Sequence, residues 1–178
     1  MEYLSFGPHV IATAATTVGA CAAAAAAAYP AWRRGDTAGA VRVGSRVLLG
    51  GSLIAVVTIT MTGTTSRSGS LNLVPIAGIV ESFRSTDVVN GLENVIGNVA
   101  MFVPLGFFSV LGLGLRVVRA TGLSAALSVG IETVQLLLGN RWSDIDDVLL
   151  NTAGGLAGAL AATACMSAYR TRYARAVN

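Results

Sequence analysis

Five stretches of this chain are apolar for about the length needed to cross a lipid bilayer. A transmembrane helix needs roughly 20 apolar residues, because each residue advances it by about 1.5 Å through a hydrocarbon core about 30 Å thick. Unpaired backbone groups are not tolerated in hydrocarbon, so these stretches must be helical. The predicted spans are 10–29, 47–63, 95–115, 121–138 and 148–169. The sequence therefore predicts an all-α, polytopic integral membrane protein with five transmembrane helices.

The composition agrees with this class and with a single domain. Of the 178 residues, 53% are hydrophobic and 12% are charged, whereas soluble domains average about 25% charged residues. A chain of this length fits one domain, residues 1–178. All twelve basic residues are arginine, which we interpret as the codon bias of a GC-rich, actinobacterial type of genome. The net charge of +3 is small, so the bilayer, and not nucleic acid, is the expected partner.

The distribution of arginine predicts the orientation, because cytoplasmic loops carry an excess of basic residues. With five spans and an outside N-terminus, nine arginines lie in the cytoplasm and three lie outside. The nine are Arg33, Arg34, Arg42, Arg46, Arg116, Arg119, Arg170, Arg172 and Arg175, and the three are Arg67, Arg84 and Arg141. We therefore predict a multi-pass protein of the cell membrane with a cytoplasmic C-terminus.

The longest loop lies between the second and third spans, on the predicted outer side. After Pro75, apolar residues recur at helical spacing, and charged residues fall on the opposite face. The apolar set is Ile76, Ile79, Val80 and Phe83, and the charged set is Glu81 and Arg84. This pattern predicts an amphipathic helix on the outer face, between spans two and three. It is compatible with a lid over the spans and with a plain surface helix.

Polar side chains interrupt the last three spans where these approach the outer side. Residues three or four apart share a helix face, and ionisable groups at hydrocarbon depth usually mark a function. The sets that share a face are Asn94 and Asn98 on the third span, Ser128, Glu132 and Gln135 on the fourth, and Asp147, Asn151 and Gly155 on the fifth. We therefore predict one polar pocket in the outer-leaflet half.

Glu132 is the first candidate for acid–base chemistry. It lies six residues before the end of its span at 138, or about 9 Å below the boundary. A carboxyl held between desolvation and a nearby arginine is suited to proton transfer. The alternative is a structural role, in which Glu132 accepts hydrogen bonds from Asn98, Gln135 or Arg141. Such bonds average under about 1 kcal/mol, and an uncharged residue could supply them.

The segment between the fourth and fifth spans is ionic. Arg141 either pairs with an aspartate to fix the turn or binds a polar group of a substrate. Asp144, Asp146 and Asp147 are three aspartates for one arginine, so carboxylates remain after one has paired with it. Free carboxylates suit a divalent cation, but no spacing here is diagnostic of a metal site. We predict no metal and no cofactor. The sequence contains no GxSxG, HExxH or P-loop motif, so the corresponding hydrolase chemistry has no support.

Two features bear on helix packing. Gly154 and Gly158 have the spacing that lets two helix backbones approach closely, and we expect them to pack against the fourth span. The first span is rich in alanine from Ala22 to Ala28. This is compatible with a homodimer, which nothing in the sequence requires.

The order and spacing of the polar residues resemble the VanZ-like proteins. The shared motifs are Asn72-Leu73-Val74-Pro75, then Asn94-x3-Asn98-x3-Phe102-x-Pro104-Leu105-Gly106-Phe107, then Glu132-x2-Gln135, and finally Arg141-x2-Asp144-x2-Asp147-x3-Asn151-x2-Gly154. The resemblance covers residues 72–158, with Ile76 where family members often have phenylalanine. It implies a role in the cell envelope, since the founding member is associated with teicoplanin resistance in Gram-positive bacteria. It supplies no agreed mechanism.

Three functions remain open at this point. The first is an envelope resistance protein that binds or modifies an amphiphilic or lipid-linked small molecule at the outer leaflet. The second is a membrane-embedded acid/base enzyme, a cyclase or transferase, that acts on a hydrophobic precursor in natural-product biosynthesis. The third is a non-catalytic assembly or transport partner. The candidate catalytic residues are Glu132, Asp144 and Asp147, and the candidate binding residues are Asn72, Asn94, Asn98, Gln135, Arg141 and Asn151.

Overall fold

The computed structural model describes residues 8–62, 71–84, 88–138 and 143–177. In chain order the elements are α1 (Pro8–Arg33), α2 (Thr37–Thr62), β1 (Leu71–Asn72), α3 (Ala77–Arg84), α4 (Val88–Leu113), α5 (Val117–Leu138), β2 (Ser143–Asp144) and α6 (Ile145–Val177). Within these residues, five helices are long and apolar enough to cross a membrane, namely α1, α2, α4, α5 and α6. The predicted all-α, polytopic class is confirmed.

Several helices extend beyond the hydrophobic stretches. α2 begins at Thr37 rather than at 47, and α6 continues to Val177 rather than stopping at 169. The added turns carry arginines whose long side chains can reach the headgroups while the backbone stays helical. Asp36 caps the longer α2, since its Oδ1 accepts a hydrogen bond of 2.8 Å from the amide of Gly39. Hydropathy located the spans but not the helix ends.

Short turns reverse the chain between neighbouring helices. The turns 34–36 and 114–116 each contain a glycine with positive φ, Gly35 at 78° and Gly114 at 68°, a backbone conformation in which helices often end. α2 and α4 are also antiparallel, because Arg46 near the start of α2 donates from Nε to the carbonyl of Gly112 near the end of α4, at 3.0 Å. Successive long helices therefore run in opposite directions.

This topology gives the bundle two chemically different ends. We call the first the arginine end: it contains the end of α1, both three-residue turns, the starts of α2 and α5 and the C-terminal end of α6, and with them all nine arginines that were predicted to be cytoplasmic. We call the other the polar end. It contains the end of α2, the strands β1 and β2, α3, the starts of α4 and α6, and the end of α5. The candidate site residues lie at the polar end or in the adjoining turns of the helices.

The core lies around α4, which packs against α2, α5 and α6. Phe102 and Leu105 of α4 are fully buried, and they form one cluster with Leu49 and Val56 of α2 and Ile131 of α5. α1 packs on α2. α4 is therefore the central helix of the bundle, and Asn98 lies one helical turn before its buried Phe102.

Glycines bring α4 and α6 into backbone contact. A Cβ atom on Gly154 would overlap the carbonyl oxygen of Val99, and one on Gly158 would overlap that of Val103. We predicted that these glycines pack against the fourth span, which is α5. That prediction is wrong, because they pack against α4, which is the third span. α4 and α6 run side by side from the polar end. The neighbouring face of α6 contacts α5, where Gly155 lies against Ser124.

Candidate functional site

A short backbone pairing closes the polar end. β1 and β2 pair in parallel, with Leu71 opposite Ser143 and Asn72 opposite Asp144. The segment between α2 and α3 is thereby joined to the segment between α5 and α6. Two predicted site residues, Asn72 and Asp144, are thus partners across this pairing, although 72 positions and the three helices α3, α4 and α5 separate them in the sequence.

Asp146 attaches α3 to the rest of the polar end. Its carboxylate accepts hydrogen bonds from the backbone amides of Ile76 and Ile79, the latter at 3.1 Å, and its side chain is 3% exposed. The first amides of a helix have no partner within the helix, so Asp146 caps α3 from a distant part of the sequence. Ile76 has a φ of 68°, which is rare for a β-branched residue. α3 forms where predicted, and its place at the membrane surface stays a prediction.

We expect the change Asp146→Ala to lower the free energy of unfolding by about 2 kcal/mol, the upper range for loss of a helix cap, because two amides lose the buried carboxylate that accepts from them. Thermal unfolding in detergent micelles measures the loss, and amide hydrogen exchange in residues 76–80 locates it. Asp36→Ala is the matched control. It removes an exposed cap at the arginine end and should leave exchange in α3 unchanged. Unaltered exchange at 76–80 in the Asp146 variant would refute the capping role.

Asp144 and Glu132 join the end of α5 to the start of α6. Oδ1 of Asp144 accepts a hydrogen bond of 2.9 Å from the amide of Asp146, so Asp144 is the N-cap of α6. The amide of Asp144 donates to Oε2 of Glu132 at 3.2 Å. Glu132 is 8% exposed. The acceptor role foreseen for a structural Glu132 is therefore present, with the backbone amide of Asp144 as a donor.

Asn98 and Asp147 connect the two central helices. Nδ2 of Asn98 on α4 donates to Oδ1 of Asp147 on α6 at 2.6 Å, and both side chains are partly buried. A hydrogen bond to an ionised acceptor is about twice as strong as one between neutral groups. The pair joins a predicted binding residue to a predicted catalytic residue.

A groove opens between α2 and α4 at the polar end, next to this pair. Its volume is about 480 Å³, within the range of small-molecule sites. The groove is lined by Ile59 and Thr60 of α2 and by Glu93, Asn94, Gly97, Asn98, Ala100 and Met101 of α4. Its wall is therefore polar at the start of α4 and apolar further along the helix, where Ala100 and Met101 follow.

Gln135 and Asn151 form interhelical hydrogen bonds in the interior. Nε2 of Gln135 donates to the carbonyl of Thr60 at 2.8 Å, and Nδ2 of Asn151 donates to Oγ of Ser128 at 2.8 Å. Oδ1 of Asn151 is buried and has no hydrogen-bond partner among the described residues. Gln135 thereby orders the residue that forms part of the groove wall on α2.

Asn94 is exposed in the groove wall, and Arg141 lies outside the described residues. Among the described residues, no three histidine, cysteine or acidic side chains converge so that they could hold a metal ion. Sequence reasoning missed Thr60 and Glu93 as groove residues. Glu93 directly precedes Asn94 and could have been included, whereas Thr60 is one of several threonines in an apolar span and does not stand out among them.

A family model described as VanZ/LLP1 matches residues 47–166, well over half of the chain. The match begins in α2 and ends in α6, so it contains every candidate site residue and leaves out α1. No curated protein and no solved structure matches the chain.

Proposed function

Because this chain belongs to the VanZ/LLP1 family of membrane proteins, we propose that it binds an amphiphilic molecule in the groove between α2 and α4, in the outer leaflet of the cell membrane. The observation that carries the proposal is the hydrogen bond between Asn98, a groove residue, and Asp147. It connects an open groove to a carboxylate of the central helix pair. In this role the protein contributes to resistance against acylated glycopeptides such as teicoplanin.

The two kinds of groove wall support an amphiphilic ligand. Ile59, Ala100 and Met101 suit an acyl chain, because burying apolar surface is favourable by about 25 cal/mol per Å². Glu93, Asn94 and Asn98 offer a carboxylate and two amides for hydrogen bonds to a headgroup. Asn72 and Arg141 stay predicted binding residues. Gln135 and Asn151 are buried and do not line the groove, so Gln135 would contribute through its bond to Thr60, and Asn151 through its bond to Ser128.

The orientation in this proposal rests on the nine arginines of the arginine end. With that end in the cytoplasm the positive-inside rule is satisfied, and the groove faces outward. We therefore expect green fluorescent protein fused after residue 178 to fluoresce, because it folds in the cytoplasm. Alkaline phosphatase fused at the same position should be inactive, because it is active only outside the cytoplasm. Phosphatase activity at the C-terminus would contradict the outward-facing groove.

The function is tested by removing two charges while leaving the hydrogen bonds in place. Glu132→Gln and Asp147→Asn each keep an acceptor oxygen, for the amide of Asp144 and for Asn98 respectively. We expect expression of the parent protein in a glycopeptide-sensitive Gram-positive host to raise the inhibitory concentration of teicoplanin, and each variant to lose the increase. Neither carboxylate is among the residues that line the groove, so we expect them to act on it through their partners, Asp147 through Asn98 and Glu132 through the amide of Asp144. A hydrogen bond to a charged group contributes about 1.5–3 kcal/mol, or roughly tenfold or more in affinity.

The control for that series is Asp36→Asn, the same carboxyl-to-amide change at the arginine end. Protein amount in the membrane and the thermal midpoint in detergent should match the parent in all three variants. If Glu132→Gln and Asp147→Asn instead unfold the protein and folded molecules retain full resistance, the carboxylates are structural. That result would favour the non-catalytic assembly or transport partner.

A second candidate is a membrane-embedded acid/base enzyme. It is favoured by the different surroundings of the two carboxylates: Glu132 is buried, whereas Asp147 is partly exposed and bonded to a groove residue. Two carboxyl groups in unlike environments can divide the roles of acid and base, and loss of either would slow turnover by about 100-fold or more. Mass spectrometry of the recovered amphiphile separates the candidates, since an enzyme returns a changed molecule and a binding protein returns the same one.

A further inference from the structure

We infer that the arginine end binds the phosphate groups of anionic phospholipids in the adjoining leaflet. All nine arginines of this end are exposed. In the described part of the chain, the carboxylate at this end is that of Asp36, which is engaged by the amide of Gly39. The described carboxylates of Glu93, Glu132, Asp144, Asp146 and Asp147 lie at the polar end. The arginine end is thus a concentrated positive surface beside a membrane.

The length of α6 places these arginines at headgroup depth. Its 33 residues span about 50 Å, whereas the hydrocarbon core is about 30 Å thick. Measured from Asp147 at the polar end, about 20 residues cross the core and reach Met166. The next turns carry Tyr169 and Tyr173, whose exposed rings lie 6.5 Å apart, and tyrosine marks the membrane interface. Arg170 and Arg172 lie between these two tyrosines and Arg175 follows them, so that their long side chains reach the level of the phosphates.

The end of α1 repeats this arrangement. Tyr29 and Trp32 are exposed, with ring centroids 6.0 Å apart, and the guanidinium of Arg33 lies 5.8 Å from the ring centre of Tyr29. Aromatic residues at the interface followed by arginine therefore occur on two separate helices at this end. The depth assigned to α6 thus has independent support.

The geometry fits a lipid phosphate better than a soluble polyanion. Guanidinium groups bind phosphate through two parallel hydrogen bonds, and Arg170 and Arg175 line a shallow groove with Thr171 and Ala174. Arg34 and Arg116 sit in turns of three residues, 34–36 and 114–116, which are too short to carry them beyond the headgroups. The partner is therefore part of the membrane surface.

The test uses the full chain in phosphatidylcholine vesicles with spin-labelled phosphatidylglycerol or spin-labelled phosphatidylcholine as the probe. We expect the protein to immobilise phosphatidylglycerol about fivefold more strongly, the effect of one arginine near an anionic surface. Because salt screens exposed charges, the preference should disappear at about 1 M NaCl. The triple variant R170Q/R172Q/R175Q should reduce it, whereas R170K/R172K/R175K, which preserves the charge but not the two parallel hydrogen bonds, should retain more of it than the glutamine variant.

Equal immobilisation of the two lipids by the parent protein at low salt would overturn the inference. A preference that survives both high salt and the triple glutamine variant would also overturn it. If a soluble oligonucleotide binds the detergent-solubilised protein while phosphatidylglycerol shows no preference, the surface serves a soluble polyanion and the lipid assignment fails.

Discussion

Alanine in place of Gly158 or Gly154 is expected to lower the free energy of unfolding by about 3 kcal/mol, the upper end of the usual cost of overpacking. The cost is high because the new methyl group meets backbone, which cannot rotate away as a side chain can. At Gly158 it would overlap the carbonyl oxygen of Val103, and at Gly154 that of Val99. α4 and α6 would have to separate along their shared face, and the Asn98–Asp147 pair would separate with them.

Gly122 and Gly130 on α5 supply matched controls, since an added Cβ atom meets nothing within 4 Å at either position. Alanine is favoured over glycine in helices by up to about 1 kcal/mol, so these variants should be at least as stable as the parent. Thermal unfolding of the purified proteins in one detergent compares all four. If Gly158→Ala is as stable as Gly130→Ala, then α4 and α6 are not in backbone contact.

The helices could be predicted from the sequence because their signals are local. A span is recognised from about 20 consecutive residues, and α3 from the spacing of Ile76, Ile79, Val80 and Phe83. The ends were less accurate, as at Thr37 and Val177, because arginine favours helix as well as marking a membrane boundary.

Packing partners could not be predicted in the same way. The spacing of Gly154 and Gly158 predicts that the backbone of another helix approaches closely, but it does not identify that helix. We assigned the contact to the preceding span because it adjoins α6 in sequence. In the structure α6 has small residues on two faces, so that Gly158 meets α4 while Gly155 meets Ser124 of α5.

The candidate site was predictable as a set of residues and not as a set of contacts. Polar residues in apolar spans are conspicuous, which identified Asn98, Glu132 and Asp147. Several of the contacts join residues far apart in sequence: Asp146 bonds to amides about 70 positions earlier, and Gln135 bonds to the carbonyl of Thr60. When a side chain bonds to a backbone amide, almost any residue type can stand at the partner position. The residue types at Ile76 and Ile79 therefore gave no indication that Asp146 caps α3.

Filling the groove tests the proposed binding site without touching its polar groups. Gly97 lines the groove, and an added Cβ atom there meets nothing within 4 Å. Gly97→Trp therefore introduces an indole into the space assigned to the amphiphile while α4 keeps its packing. Gly130→Trp is the control, because it places the same side chain on an open, exposed face of α5.

The decisive measurement is the binding of fluorescently labelled teicoplanin to the parent and to both tryptophan variants in lipid nanodiscs, with thermal midpoints recorded for each. We expect the parent and Gly130→Trp to bind with equal Kd, and Gly97→Trp to bind roughly 100-fold more weakly, a difference of about 2.7 kcal/mol, at an unchanged midpoint. Equal binding by a folded Gly97→Trp protein, or no binding by the parent, would contradict the assignment of the groove as the amphiphile site.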